Sequence, residues 1–359
     1  MPLIRVAAPD LLVGDTCALM NELVQATRNG RATSLLAAMC HDAVRIFIAR
    51  DVLIEVERDL PDYAADRRLD PHAVMAAWNR LYKPLITVVD GPGAWADDSP
   101  AVQSVLARHP VDAPTARLAA TLAPCHVLTE DPDLTDYGLG DRDWLPLAHA
   151  FANQAELELV SSAVAVPTVI VAGLGTELSR AAMRLPAVWR YLLAAGLLGV
   201  AYLWQIDGRA RRQLEKAGAV ALRVGKVVGP PLLELTERHG EAMNIRRDRL
   251  VVPDHVRRLP EQIARQLALA PSHGMLAADV AREVDHDGNL KERTAAVRAV
   301  LQSSDACVQV TRGRWRLGNP PSIDASTLTP DDVLQWLARA HRATLPELAA
   351  GPAVGGPRL

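Results

Sequence analysis

The stretch Asp112–Leu134, reading DAPTARLAATLAPCHVLTEDPDL, compresses a helix start, a buried strand and an acidic loop into one segment. Asp112 stands before Ala113-Pro114-Thr115, and an acidic residue ahead of a proline in the first turn is a good helix start. Leu118, Ala119, Leu122 and Ala123 then fall at helical spacing until Pro124 stops the run. Cys125–Leu128 is a brief apolar segment of the kind that forms a strand buried on both faces of a parallel sheet. Thr129, Glu130, Asp131 and Asp133 therefore sit where that strand ends, and in open α/β sheets the carboxyl ends of strands are where ligands bind.

Carboxylates gathered at strand ends repel one another unless a hard cation sits among them, and Mg2+ or Mn2+ takes oxygen ligands in octahedral geometry. Two upstream segments offer further acids. Leu11-Leu12-Val13-Gly14 is an apolar run ending in Asp15-Thr16, after which Ala18, Leu19, Leu23 and Val24 continue at helical spacing. Val44–Ile48 reads as a second strand, and Val52, Leu53, Ile54 and Val56 begin a helix carrying Glu55 and Glu57.

Asp15-Thr16 after the first strand, Glu55 early in the second helix, Asp112 before the last central strand, and Thr129-x-Asp131-x-Asp133-Leu134 together resemble the PIN-domain family, in that order and over residues 1–155. The resemblance implies a Rossmann-like parallel sheet and a metal-dependent nuclease, and many members are ribonuclease toxins of bacterial toxin-antitoxin pairs. It makes Asp15, Glu55, Asp112 and Asp131 the catalytic and metal-binding set, with Asp133 as an auxiliary ligand and Thr16 and Thr129 orienting water or a carboxylate through their hydroxyls. The implied cofactor is Mg2+ or Mn2+, and the implied reaction is hydrolysis of RNA, or of DNA, by a metal-activated water. An antitoxin or other protein partner and a homodimer are the implied assemblies. Each acid also has a plainer job: Asp15 and Asp112 can cap helices, and Glu55 can pair with Arg58 on a solvated face. Arg117 lies a little over one turn beyond Asp112, placed to meet a substrate phosphate or to pair with an acid.

The remainder of the first domain alternates in the same way. Arg58–Pro71 reads as a charged turn region, His72–Tyr82 as a helix, Leu85–Val89 as a third strand and Ser99-Pro100 as the start of a helix ending near His109-Pro110. His109, His126 and His149 show no partner spacing.

The chain has 359 residues, room for two or three domains, with 49% hydrophobic residues and a formal net charge of −3, so nucleic-acid contact must come from local patches rather than bulk charge. The four cysteines, Cys17, Cys40, Cys125 and Cys307, form neither a C-x-x-C pair nor a zinc pattern and read as reduced core thiols. The start, MPLIRVAAPD, lacks the features of a secretory signal, which places the first domain in the cytoplasm.

Residues 156–206 hold two stretches without charge, Leu159–Thr176 and Tyr191–Ile206, read either as a membrane hairpin on the cytoplasmic face of the inner membrane or as a pair of buried core helices. Trp189, Tyr191, Tyr202 and Trp204 bracket the second stretch, and the arginines after it would face the cytoplasm. A connector spans 207–256, with Arg246, Arg247 and Arg249 as a basic run. In 257–319, three short helices precede a hairpin, Val308–Val310 and Trp315–Gly318, and this pattern resembles a winged helix. Its third helix presents Lys291, Arg293 and Arg298 and its wing Arg312, Arg314 and Arg316, the residue types that meet nucleic-acid phosphates, although winged helices also bind proteins. A short helix and flexible tail fill 320–359. The expected fold class is α/β, a Rossmann-like parallel sheet followed by an apolar helical hairpin and a small winged-helix-like α+β domain. The competing function is a non-catalytic regulator that binds DNA or a protein on a PIN-like scaffold.

Overall fold

In the computed structural model the chain divides into two compact units, residues 1–152 with 242–359, and residues 153–241. The structure describes residues 9–91, 95–154, 237–238, 240–271 and 273–319, almost all of them in the first unit. The apolar stretches of 156–206, the first part of the connector and the tail after 319 lie outside the described residues. Among the described residues, no helix is long and apolar enough to cross a membrane.

The first unit is built on a four-stranded parallel sheet. Its strands are β1 (Asp10–Gly14), β2 (Val44–Ala49), β3 (Ile86–Val89) and β4 (His126–Leu128), in the order β3-β2-β1-β4. Leu12 and Val13 in β1 and Ile48 in β2 are fully buried, the pattern of strands covered on both faces. The chain steps from β1 outward to β3, then returns to place β4 on the other side of β1. That reversal puts a topological switch point at the carboxyl ends of β1 and β4, where such sheets bind ligands.

Helices α1 (Thr16–Asn29), α2 (Ser34–Cys40), α3 (Arg50–Asp66) and α4 (Pro71–Ala77) fill the connections before β3. The charged stretch from Arg58, expected as a turn, is instead the second half of α3, which runs through Pro61. A proline inside a helix costs about 3 kcal/mol. Val56 and Leu60 are both fully buried on the stripe that continues to Ala64, and burying such side chains contributes about 1.5–3 kcal/mol each. The packed face therefore outweighs the local break.

After β3 come α5 (Pro100–Arg108), capped by the Ser99 hydroxyl, α6 (Ala113–Leu122), and, beyond β4, the single-turn α7 (Pro132–Thr135). Cys125 and Cys307 are buried as expected of core thiols; Cys17 and Cys40 are only half-buried, and all four are free.

The C-terminal part of the unit supplies α8 (Leu259–Ala268), β5 (Met275–Leu276), α9 (Ala277–Glu283), α10 (Leu290–Ser303), β6 (Cys307–Thr311) and β7 (Arg314–Leu317). Its three strands form an antiparallel sheet in the order β5-β7-β6. One core runs through both halves, with Leu118 and Leu122 of α6 in the same cluster as Ile263 and Leu267 of α8 and Val280 and Val297 beyond. Polar contacts reinforce that seam: Glu261 accepts from the Ala96 amide at 2.9 Å, and Arg265 donates to the carbonyls of Leu122 and Pro124.

The same part of the chain makes one backbone bridge at each edge of the parallel sheet. Val251 exchanges two backbone hydrogen bonds with Cys125 beside β4, and the Asn319 amide donates to Val88 of β3 at 2.8 Å. In the basic run, Arg246 pairs with Asp10 at the start of β1 and lies 5.6 Å from the centre of the Phe151 ring, and Arg249 pairs with Asp141 at 3.5 Å.

Candidate metal centre

The β1–β4 pairing continues one residue past the strands. Gly14 is in register with Leu128, and the Asp15 amide donates to the Leu128 carbonyl at 3.0 Å, so Asp15 and Thr129 emerge side by side. Asp15 occupies the N-cap position of α1, yet its side chain makes no capping bond. Its Oδ2 accepts instead from the Thr129 hydroxyl at 2.9 Å and the Cys17 thiol at 3.1 Å. Burial pushes the Asp15 carboxyl above the usual range, opposed by these hydrogen bonds and the Thr16 amide and helped by the charge of Asp131.

Thr129 also holds the acidic loop. Its Oγ1 accepts from the Asp131 amide at 3.0 Å, and Asp131 Oδ1 in turn accepts from the Asp133 amide at 2.8 Å, capping α7. The threonine and the first aspartate of the T-x-D-x-D segment thus fold the loop by accepting amides two residues ahead, a turn these side chains are built for.

Asp112 is at the N-cap position of α6 and, like Asp15, makes no side-chain cap. Its carboxyl is pushed up to about 6, first by desolvation and then by the like charges of Asp131, Asp15 and Asp133, with His109 acting in the opposite direction. Both aspartates therefore leave the capping role unfilled, and Asp112 joins an acidic group. His109 belongs to it. Its Nδ1 lies 2.7 Å from Asp133 Oδ2, and one ligand atom each from His109, Asp112 and Asp133 lie within 4.8 Å of one another.

His109, read from sequence as lacking a partner, is the residue that sequence reasoning missed. A signal was present: His109 and Asp112 are three residues apart across Pro110, and the turn there is closed by the Asp112 amide on the His109 carbonyl at 3.0 Å.

Glu55 is not in the group of His109, Asp112 and Asp133; its Oε2 accepts from the Thr16 hydroxyl at 2.6 Å, while Oε1 lies 4.0 Å from Arg58. Glu130 is engaged elsewhere, by Asn21 and the Trp144 indole. Arg117 pairs with Asp97 at 2.7 Å, so of its two expected roles the acid pair is the one seen. His126 is buried against Phe151 and its imidazole is held down to about 4 by desolvation, whereas His149 meets the Ser34 hydroxyl at 2.8 Å.

Among the basic residues of the C-terminal part, Lys291, Arg298 and Arg312 are exposed. Arg314 donates to the Gly274 carbonyl at 2.9 Å, and Arg293 is half-buried.

As a donor set, the two carboxylates of Asp112 and Asp133 with the His109 imidazole suit a divalent cation, the nitrogen favouring Mn2+ over Mg2+. Comparison with protein-family models, with curated proteins and with solved structures returns no match.

Proposed function

We propose that the chain is a metal-dependent endonuclease of PIN type, with RNA as its substrate. The observation that carries this reading is the grouping of His109, Asp112 and Asp133 within 4.8 Å, near enough to Asp15 and Asp131 at the carboxyl ends of β1 and β4 for their charges to act on Asp112. Neither Asp15 nor Asp112 is spent on its helix, and the Asp112 carboxyl bears the charge of the other three aspartates. A divalent cation bound there would lower the pKa of a bound water and neutralise charge developing on a phosphodiester. Around it, Asp15, Asp112 and Asp131 would act as ligands, Asp133 and His109 would complete the set, and Thr129 would fix the angle of Asp15. Glu55 would reach the outer face of the site through Thr16.

The C-terminal part supports nucleic acid as the partner. Helices α8 to α10 followed by the β6–β7 hairpin, with β5 pairing to β7, follow the winged-helix order, and the exposed Lys291, Arg298 and Arg312 lie on its third helix and wing.

The test is degradation of end-labelled RNA by the purified chain with Mn2+ or Mg2+, compared with Asp15→Asn and Asp112→Asn proteins shown to be folded by circular dichroism. Cleavage by the parent and its loss in both variants is the expected result. An inert parent with either metal, or full activity in the variants, removes the nuclease reading and leaves a binding scaffold, which retention of DNA without cleavage would then identify.

A further inference from the structure

Beside α8 lies an open pocket of about 320 Å³ lined by His255, Arg257, Gln262, Arg265, Glu283 and Asp285 among others. His255 is held at both ring nitrogens, by Asp254 at 3.1 Å and by Glu261 at 2.8 Å. Gln262 gives its amide nitrogen to the Arg257 carbonyl and takes the Asp285 amide on its oxygen. Arg265 donates to the last carbonyls before β4. Arg257 differs: its Nε and Nη2 are withdrawn from solvent and meet no acceptor.

A charged donor in that position is costly, because hydrogen bonds lost with water are not replaced. Glu261 is close enough for its charge to act on Arg257, yet it accepts from the Ala96 amide, the Arg258 amide and His255, and among the described residues it forms no ion pair with Arg257. Arg265 stands close enough to repel it, and burial holds both guanidiniums below their ordinary pKa. Glu283 and Asp285 also line the cavity but are exposed, and among the described residues neither forms an ion pair with either arginine.

We propose that this cavity is a phosphate site, in which an oxyanion entering between Arg257 and Arg265 supplies the acceptors that Arg257 lacks. A guanidinium matches phosphate in a planar, two-point geometry, and two guanidiniums that repel each other when empty are drawn together by one dianion. The volume is at the lower end of small-ligand pockets, about 300–1,000 Å³, enough for a phosphate with one attached nucleoside. None of the lining residues belongs to the acidic cluster, so the inference stands apart from the nuclease reading. The phosphate has two sources: free phosphate or a small monoester, and the backbone of a nucleic-acid strand.

The experiment uses the full chain without divalent cations, so that the carboxylate cluster takes no part. Thermal melting is followed with inorganic phosphate against chloride at equal ionic strength, and a short single-stranded RNA is titrated by fluorescence anisotropy. Both are repeated with Arg257→Gln, a side chain whose loss removes no hydrogen bond described above. A rise in melting temperature with phosphate that the variant lacks identifies a free-phosphate site. An inert response to phosphate with RNA affinity reduced roughly tenfold in the variant identifies a strand phosphate. If parent and variant behave alike towards both, the proposal is wrong.

Discussion

Thr129 donates its hydroxyl to Asp15 across the β1–β4 boundary at 2.9 Å, and the same oxygen accepts the Asp131 amide at 3.0 Å. One side chain thus sets the angle of one proposed ligand and the loop that carries two others. Valine has the same shape without the hydroxyl, so Thr129→Val should bind Mn2+ about 10–100-fold more weakly, the usual effect of removing a group that orients a ligand. Thr129→Ser, which keeps the hydroxyl, should recover most of that affinity. Titration calorimetry of the three proteins decides it, and equal affinity in parent and Val protein would mean that Thr129 serves only the turn.

Glu22 predicts how stability responds to pH. It is buried in α1 and accepts from the hydroxyls of Thr33 and Tyr82, the latter at 3.0 Å. Burial, only partly opposed by those bonds, raises its carboxyl from 4.5 to about 7. The folded chain therefore holds a proton that the unfolded chain releases, so the stability is fully present below about 4.5 and is lost as pH rises through 7. The loss at pH 8 is on the order of 3 kcal/mol. Glu22→Gln keeps an acceptor for Tyr82 and cannot ionise. Urea denaturation should show the variant gaining on the parent between pH 5 and pH 8, and a constant difference across that range would show that Glu22 does not titrate there.

The parallel sheet is legible in the sequence because strands buried on both faces read as continuous apolar runs, as Leu11–Gly14 and Ile86–Val89 do. The end of α3 is not, because its charged residues and Pro61 dominate the pattern while only Leu60 and Ala64 face the core. Asp15, Asp112 and Asp131 stand out in the sequence by their positions at element ends, and of these Asp112 falls in the group with His109 and Asp133. His109 has one local cue, its three-residue spacing to Asp112, but its contact with Asp133 lies beyond α6 and β4 and is encoded by no local spacing. The edge contacts of Val251 and Asn319 escape for a similar reason: a single bridge has no periodicity to read.

Gly318 offers a stability test of that edge contact. Its φ is +68°, and a Cβ there would stand 2.5 Å from the Val88 carbonyl oxygen and 2.8 Å from Thr87 Cγ2. Alanine would be strained in its backbone and would force the chain away from β3, breaking the Asn319 bridge. A loss of about 1–3 kcal/mol is expected for Gly318→Ala in urea denaturation. Unchanged stability would show that the contact with β3 contributes little.

The imidazole of His109 should decide which metal the centre prefers. Mg2+ takes oxygen ligands almost exclusively, whereas Mn2+ also accepts nitrogen, so a set of His109, Asp112 and Asp133 favours Mn2+. Replacing His109 by alanine removes the nitrogen and leaves the carboxylates in place. Affinity for Mn2+ should fall at least about tenfold, with a smaller change for Mg2+, so that the preference between the two narrows. Electron paramagnetic resonance of bound Mn2+, with Mg2+ as competitor, measures both affinities without relying on catalysis. If His109→Ala weakens the two metals by the same factor, the histidine acts only by holding Asp133 in place through their 2.7 Å contact.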